Sequence, residues 1–156
     1  MADVEFYFDC SSPWTYLAFS RIERLCAAAG ATLHLKPVLV GGIFNAVNEQ
    51  VYETRANPHP VKGRYYGKDL ADWAAYCGVK IGMPKVFPVR AVKPQRLLCA
   101  CPDQASMARL AWKLFEAYWG DLKDISQDDV LQAVVESAGL EWTALNEATN
   151  DPAIKQ

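Results

Sequence analysis

VEFYFDCSSPWTYLAFSRIERLCAAAGATLHLKPV, residues 4–38, decides the fold. VEFYF (4–8) is β-branched and aromatic and reads as a strand. Ser11 or Ser12 then serves as a helix N-cap, with Pro13 at or near the first helical position, where its missing N–H costs nothing. Trp14, Leu17, Ala18, Ile22, Leu25 and Cys26 recur at helical spacing, and Gly30 supplies the stop. TLHLKPV (32–38) alternates as a second strand. A strand–helix–strand unit of this length crosses over right-handed into a parallel pair. The fold class is α/β.

The junction DCSSPWTY (9–16) is where such a unit places its chemistry. Ser12-Pro13-Trp14-Thr15 has the frame of a redox C-P-x-C motif with hydroxyls in both cysteine positions. A helix N-terminus presents unpaired N–H groups and a positive dipole end, which stabilise a thiolate. With serine there, the pocket can hold a thiolate brought by a cofactor, the Ser12 hydroxyl donating a hydrogen bond to it. The plainer reading is that Ser11 and Ser12 only cap the helix. Cys10 precedes Ser12 by two and is out of the redox position.

Beyond residue 40 the pattern changes. Gly41-Gly42 breaks the chain and IFNAVN (43–48) reads as a short helix. TRANPHPVKGRYY (54–66) reads as a polar, proline-broken loop, and KDLADWAAYCG (68–78) as a helix ended by Gly78. VKIGMPKVFPVR (79–90) reads as an extended loop or an edge strand. Pro94 opens a short helix, and Asp103 caps one that runs through Trp119 to Gly120. Ser126 with Asp129 matches a capping box for a helix ending at Gly139, and Thr143 is placed to cap another. Asp151-Pro152 starts a last helix. This divides one domain, 1–156, into a βαβ half (1–40), a mostly helical insertion (41–150) and the start of a helix (151–156).

The whole chain bounds function only loosely. Its 156 residues carry a formal net charge of -2, so no basic field argues for nucleic acid. No apolar run approaches the roughly 18 residues needed for a bilayer. Asp3 and Glu5 stand where a signal peptide would carry a basic n-region, so a signal peptide is not expected. Five cysteines without framework spacing read mostly as buried small hydrophobes in a reducing, cytoplasmic setting, and two histidines are too few for a convincing zinc site.

Four stretches in order, FYFDCSSPWTYLA (6–18), LKPVLVGGIFNAVN (35–48), NPHPVKGRYYGKDLADWA (57–74) and FPVR (87–90), resemble the 2-hydroxychromene-2-carboxylate isomerases and the related kappa-class glutathione transferases. The resemblance implies a thioredoxin-like fold with a large α-helical insertion, as in bacterial DsbA-type oxidoreductases. It implies glutathione as cofactor, with the serine before the helix-opening proline, here Ser12, beside its sulfur. It implies isomerisation of an unsaturated aromatic keto acid from naphthalene-type degradation by reversible thiolate addition, or else transferase chemistry. Family members have an asparagine and a lysine near glutathione or substrate. Asn45 or Asn48, and Lys62, match these; an Asx-turn and a solvated lysine are the plain alternatives. Arg90 could serve a carboxylate or lie on the surface. Trp14, Phe44 and Trp73 are candidates for an aromatic pocket, with core packing the better expectation for Trp73, and the hydroxyls of Tyr65 and Tyr66 are candidate donors.

The same resemblance implies two further strands, a cis-proline loop and a final helix after the point matching Gln156. The chain is therefore expected to stop before that fold is complete. It would be a fragment, the product of a shortened gene, or a chain whose sheet a partner completes, a homodimer included. A non-catalytic interaction module is the remaining alternative. A thiol–disulfide oxidoreductase is disfavoured, since Ser12 and Thr15 cannot form a mixed disulfide.

Overall fold

The computed structural model describes residues 2–48 and 50–155. Strand β1 (Asp3–Phe8), helix α1 (Pro13–Ala28) and strand β2 (Thr32–Pro37) form the expected crossover unit. The two strands pair in parallel, in register from Asp3 against Thr32 to Phe8 against Pro37. Ser12, not Ser11, is the N-cap of α1, and Gly30 turns the chain in the left-handed region at φ 64. Gln156, the last residue of the helix start expected over 151–156, lies outside the described residues.

Alternation along β1 separates two faces. Glu5 and Tyr7 point to solvent, where the Tyr7 hydroxyl donates to Glu5 at 2.7 Å and Lys36 lies 3.7 Å from the same carboxylate. Phe6 and Phe8 point inward. The buried face of α1 comprises Pro13, Tyr16, Leu17, Phe19 and Cys26, while Leu25 is half exposed. The stripe thus lies to one side of the expected one. The reason is aromatic packing: Phe19 meets Phe8 at 5.5 Å and Phe115 at 5.3 Å, and Tyr16 stacks on Phe115 at 5.0 Å.

Phe115 ends helix α6 (Gln104–Phe115), whose Leu110, Ala111, Leu114 and Phe115 are fully buried. Asp103 caps α6 as expected, its carboxylate accepting from the Ser106 N–H at 2.7 Å. Gln104, in the first turn, latches the helix to the sheet: its Oε1 accepts from the Leu35 N–H at 2.6 Å. Instead of running on as an α-helix, the chain passes into a π-helical turn, Glu116–Gly120, closed by the Asp121 N–H on the Glu116 carbonyl at 2.8 Å. That turn buries the adjacent rings of Tyr118 and Trp119 together.

Between β2 and α6 lie α2 (Val40–Val47), α3 (Gln50–Ala56), α4 (Pro60–Cys77) and α5 (Val92–Cys99). The loop expected over 54–66 is not there. Helix α3 runs through Ala56, and α4 begins at Pro60. A proline at the first helical position opens a helix rather than breaking it, so only 57–59 separate the two. Residues 79–91 are loop, without a strand, and the Phe87–Pro88 peptide is cis.

Three helices follow: α7 (Asp128–Ser137), α8 (Trp142–Ala148) and α9 (Pro152–Lys155). The capping box expected at Ser126 does not form. Asp124 captures the Ser126 hydroxyl at 2.7 Å and its N–H at 3.0 Å, which leaves Gln127 as an N-cap without a side-chain bond. Glu141, not Thr143, caps α8, accepting from the Thr143 and Ala144 N–H groups at 2.9 and 2.6 Å. The longer acidic side chain reaches both donors. Asp151 caps α9 through the Ala153 N–H at 2.8 Å.

Phe115 is the shared neighbour of Phe8, Tyr16 and Phe19. Phe115→Ala is expected to lower unfolding free energy by ~3–5 kcal/mol in a urea titration. A loss below ~1 kcal/mol would show that sheet and α6 are not joined through this ring.

Candidate active site

Three segments meet at the end of β1. Asp9 follows the strand, is 2% exposed, and accepts from the Ser11 N–H through Oδ1 and the Val40 N–H through Oδ2, both at 2.8 Å. It thereby ties the β1–α1 turn to the start of α2. The turn is closed by the Ser12 N–H on the Asp9 carbonyl at 3.0 Å.

Ser12 sits half-buried at the N-terminus of α1, with φ -103 and ψ 119. Its Oγ accepts from the Thr15 N–H at 3.2 Å. That bond uses a lone pair and leaves the hydroxyl hydrogen for a further acceptor. An anion placed there meets an O–H donor and the positive end of a 16-residue helix.

Cys10 is fully buried, and its carbonyl accepts from the Trp119 indole N–H at 3.0 Å. Burial, reinforced by the neighbouring Asp9 charge, pushes its thiol well above the ordinary range. It is a packed hydrophobe, as its sequence position suggests. The cysteines as a group are less buried than expected: Cys26 is buried, Cys77 and Cys101 are half-buried and Cys99 is exposed.

Two groups of side chains include some of the expected pocket residues, Trp14 with Tyr66 in one and Phe44 in the other. Trp14, half-buried in the first turn of α1, meets Tyr66 of α4 edge-to-face at 5.5 Å and donates its indole N–H to the Tyr66 hydroxyl at 2.8 Å. Tyr65 is 66% exposed. On the other side, Phe44 of α2 lies under the Arg55 guanidinium of α3 at 5.7 Å, and Phe87 lies at 5.7 Å from the same group. Phe87 also meets Trp119 at 6.0 Å, so this group leads back to the Cys10 carbonyl.

The expected polar residues are less drawn together. Asn45 is exposed, and its Oδ1 accepts from the Tyr52 hydroxyl at 2.7 Å, which pins α3 to α2; among the described residues its amide N–H groups make no hydrogen bond. Asn48 is the exposed C-cap of α2. Lys62 is exposed in the first turn of α4, not in a loop, and Arg90 is exposed. Trp73 is not in the core. It is 44% exposed and packs edge-to-face on Tyr76 at 5.5 Å, because α4 buries little beyond Ala74 against the rest of the chain.

Sequence reading missed Asp9 and Arg55. An aspartate two residues before a serine pair is an Asx-turn signal and could have been found. Arg55 carries no local signal. A cavity of about 720 Å³ lies elsewhere, between α1, β2 and α6, over Phe19, Leu35 and Trp112, and contains none of the expected site residues. Ser12's chemistry, rather than cavity size, marks the site. Among the described residues no cluster of metal-ligating side chains occurs, and no helix is long and apolar enough to cross a membrane.

A parallel βαβ start, a helical insertion and a serine at the helix-opening proline define a thioredoxin-type protein. Residues 3–156 match the DSBA-like thioredoxin domain, and the chain belongs to that family. It is 28% identical over 171 residues to glutathione S-transferase kappa 2 of Caenorhabditis elegans, covering 97% of this chain and 75% of that one. It is 26% identical over 156 residues to a 2-hydroxychromene-2-carboxylate isomerase of Sphingobium xenophagum, covering 96% and 75%. A solved structure of a 2-hydroxychromene-2-carboxylate isomerase superposes with a TM-score of 0.78 at 23% identity, over 97% of this chain and 73% of that chain. These relatives are enzymes, and the fold is the thioredoxin-like one implied by the sequence resemblance.

Iodoacetamide at pH 8 is expected to leave Cys10 unmodified in the native protein and to label it in urea, read by peptide mass spectrometry. Rapid native labelling of Cys10 would restore it as a candidate nucleophile.

Proposed function

We propose that the chain acts as a glutathione-dependent isomerase on substrates of the 2-hydroxychromene-2-carboxylate type. The observation that carries this reading is Ser12: its oxygen is engaged by the Thr15 N–H, so its hydrogen is available to a thiolate at the start of α1. Glutathione supplies a thiolate that adds reversibly to a conjugated double bond, so that the bond can rotate before elimination.

The chain's own residues do the rest. Ser12 and the α1 dipole hold the sulfur as an anion at neutral pH. The amide of Asn45, or Asn48, and the Lys62 ammonium are donors for carboxylate or enolate oxygen. Trp14, fixed by its bond to Tyr66, and Phe44 offer aromatic walls, and Tyr65 and Arg90 lie at the periphery. No step requires a protein thiol, which agrees with the burial of Cys10. A reducing cytoplasm, which keeps glutathione as a thiol and suits free cysteines, fits the same reading.

A kappa-type transferase is the second reading, favoured by the relative of that name at 28% identity. The two differ in stoichiometry. An isomerase regenerates glutathione, whereas a transferase consumes it into a product.

Ser12→Asp separates capping from thiolate binding, since aspartate is an equally good N-cap but repels an anion. The variant is expected to keep its melting temperature within a few degrees and to lose glutathione-dependent turnover by about 100-fold or more. Glutathione at roughly 100 times its Kd should stabilise the wild type by about 2.7 kcal/mol and leave Ser12→Asp unmoved. Wild-type turnover retained by Ser12→Asp would remove Ser12 from the mechanism.

A further inference from the structure

The Arg55 guanidinium lies near two aromatic rings that come from different parts of the chain. Phe44 belongs to α2 and Phe87 to the 79–91 loop, and each ring centre lies 5.7 Å from the Arg55 Cζ. Both distances are within cation–π range. Helix α3, which carries Arg55 in its last turn, is fixed against α2 by the Tyr52 hydroxyl, which donates to Asn45 at 2.7 Å. The loop that carries Phe87 is fixed in turn, since the Tyr118 hydroxyl donates to the Val86 carbonyl at 2.8 Å. Phe87 itself packs on Trp119 at 6.0 Å.

Two aromatic neighbours at that distance restrict the guanidinium without using its N–H donors. Arg55 is exposed, and among the described residues no carboxylate lies within ion-pair distance of it. A planar fork of donors, partly restrained before a ligand arrives, is suited to bidentate capture of a carboxylate at reduced entropic cost. Phe87, 37% exposed, adds an apolar surface beside the fork for the ring or double bond of the same ligand. Neither Arg90 nor Lys62 has such aromatic neighbours among the described residues.

We propose that Arg55, set beside Phe44 and Phe87, is the carboxylate anchor of the site and sets its preference for aromatic or unsaturated carboxylates. The link to catalysis rests on the isomerase reading above; the binding preference itself does not.

Isothermal titration with 2-naphthoate and 2-naphthamide, without glutathione, tests it. The wild type is expected to bind the acid at least about tenfold tighter than the amide. Arg55→Ala is expected to abolish that preference while keeping the wild-type circular dichroism, since Arg55 is an exposed side chain at a helix end. Arg55→Lys, which keeps the charge but loses the fork, should retain only a part of it. No measurable binding of naphthoate to the wild type, equal wild-type affinity for the two probes, or a preference that survives in Arg55→Ala would overturn the assignment. Because glutathione is absent from this titration, it can fail while Ser12-dependent turnover holds, and the reverse.

Discussion

The site depends on one buried carboxylate. Asp9 terminates β1, and its two oxygens each take a backbone N–H at 2.8 Å, one from Ser11 and one from Val40. Burying a charge is costly unless charge-assisted hydrogen bonds offset the desolvation, and here two do. The first bond shapes the turn that makes Ser12 an N-cap. The second sets where α2 leaves β2, and hence where Phe44 and Asn45 stand. Gln95 of α5 completes the joint: its Nε2 donates to the Phe8 carbonyl at 2.8 Å and to the Val38 carbonyl at 2.6 Å. The carboxyl ends of both strands are therefore held by side chains, leaving few polar backbone groups unpaired.

Below this joint the core is largely aromatic. Phe8, Phe19 and Phe115 pack together, and α6 continues from Phe115 into the π-helical turn. Trp119, at the end of that turn, touches three parts of the site. Its indole N–H holds the Cys10 carbonyl, its carbonyl accepts from the Gly82 N–H at 2.8 Å, and its ring supports Phe87. A regular helix advances 3.6 residues per turn and would aim Tyr118 and Trp119 differently. The wider turn lets one helix serve the hydrophobic core at its start and the loop of Phe87 at its end.

Much of this is local and legible. Strand alternation, the Ser12–Pro13 start and the Gly30 stop each follow from side-chain and backbone preferences within a few residues, and the structure has all three. The start of α4 is also local but was open to two readings, since a proline either breaks a helix or begins one. Asp124 and Glu141 displaced expected caps because a carboxylate competes better for nearby donors than the hydroxyls considered. Arg55, Trp73 and the second bond of Asp9 are different. Their environments depend on segments that are distant in sequence, so no spacing rule reaches them. The aromatic character of Trp73 suggested burial, but burial depends on what packs against α4, and on that face little does.

The serine frame and the arginine fork have a common logic. A redox protein of this family activates a thiol of its own at the N-terminus of α1. Here the residue at that position is a hydroxyl with one lone pair tied up, and the nearest cysteine is buried with its thiol pushed up by desolvation. At Ser12 itself the helix end carries a neutral hydroxyl, while the Asp9 carboxylate beside it is engaged by the Ser11 and Val40 N–H groups. The Arg55 fork likewise faces solvent with its charge unpaired among the described residues. On the proposed reading both charges await small molecules, a thiolate at Ser12 and a carboxylate at Arg55, with Phe87 beside Arg55 and packed on Trp119. An arrangement of that kind discriminates by what it leaves unsatisfied. A ligand that lacks the carboxylate forfeits the Arg55 fork, and a cofactor that lacks the thiol forfeits the helix terminus. Selectivity on this reading comes from two separated anion sites, not from the enclosed volume of a pocket.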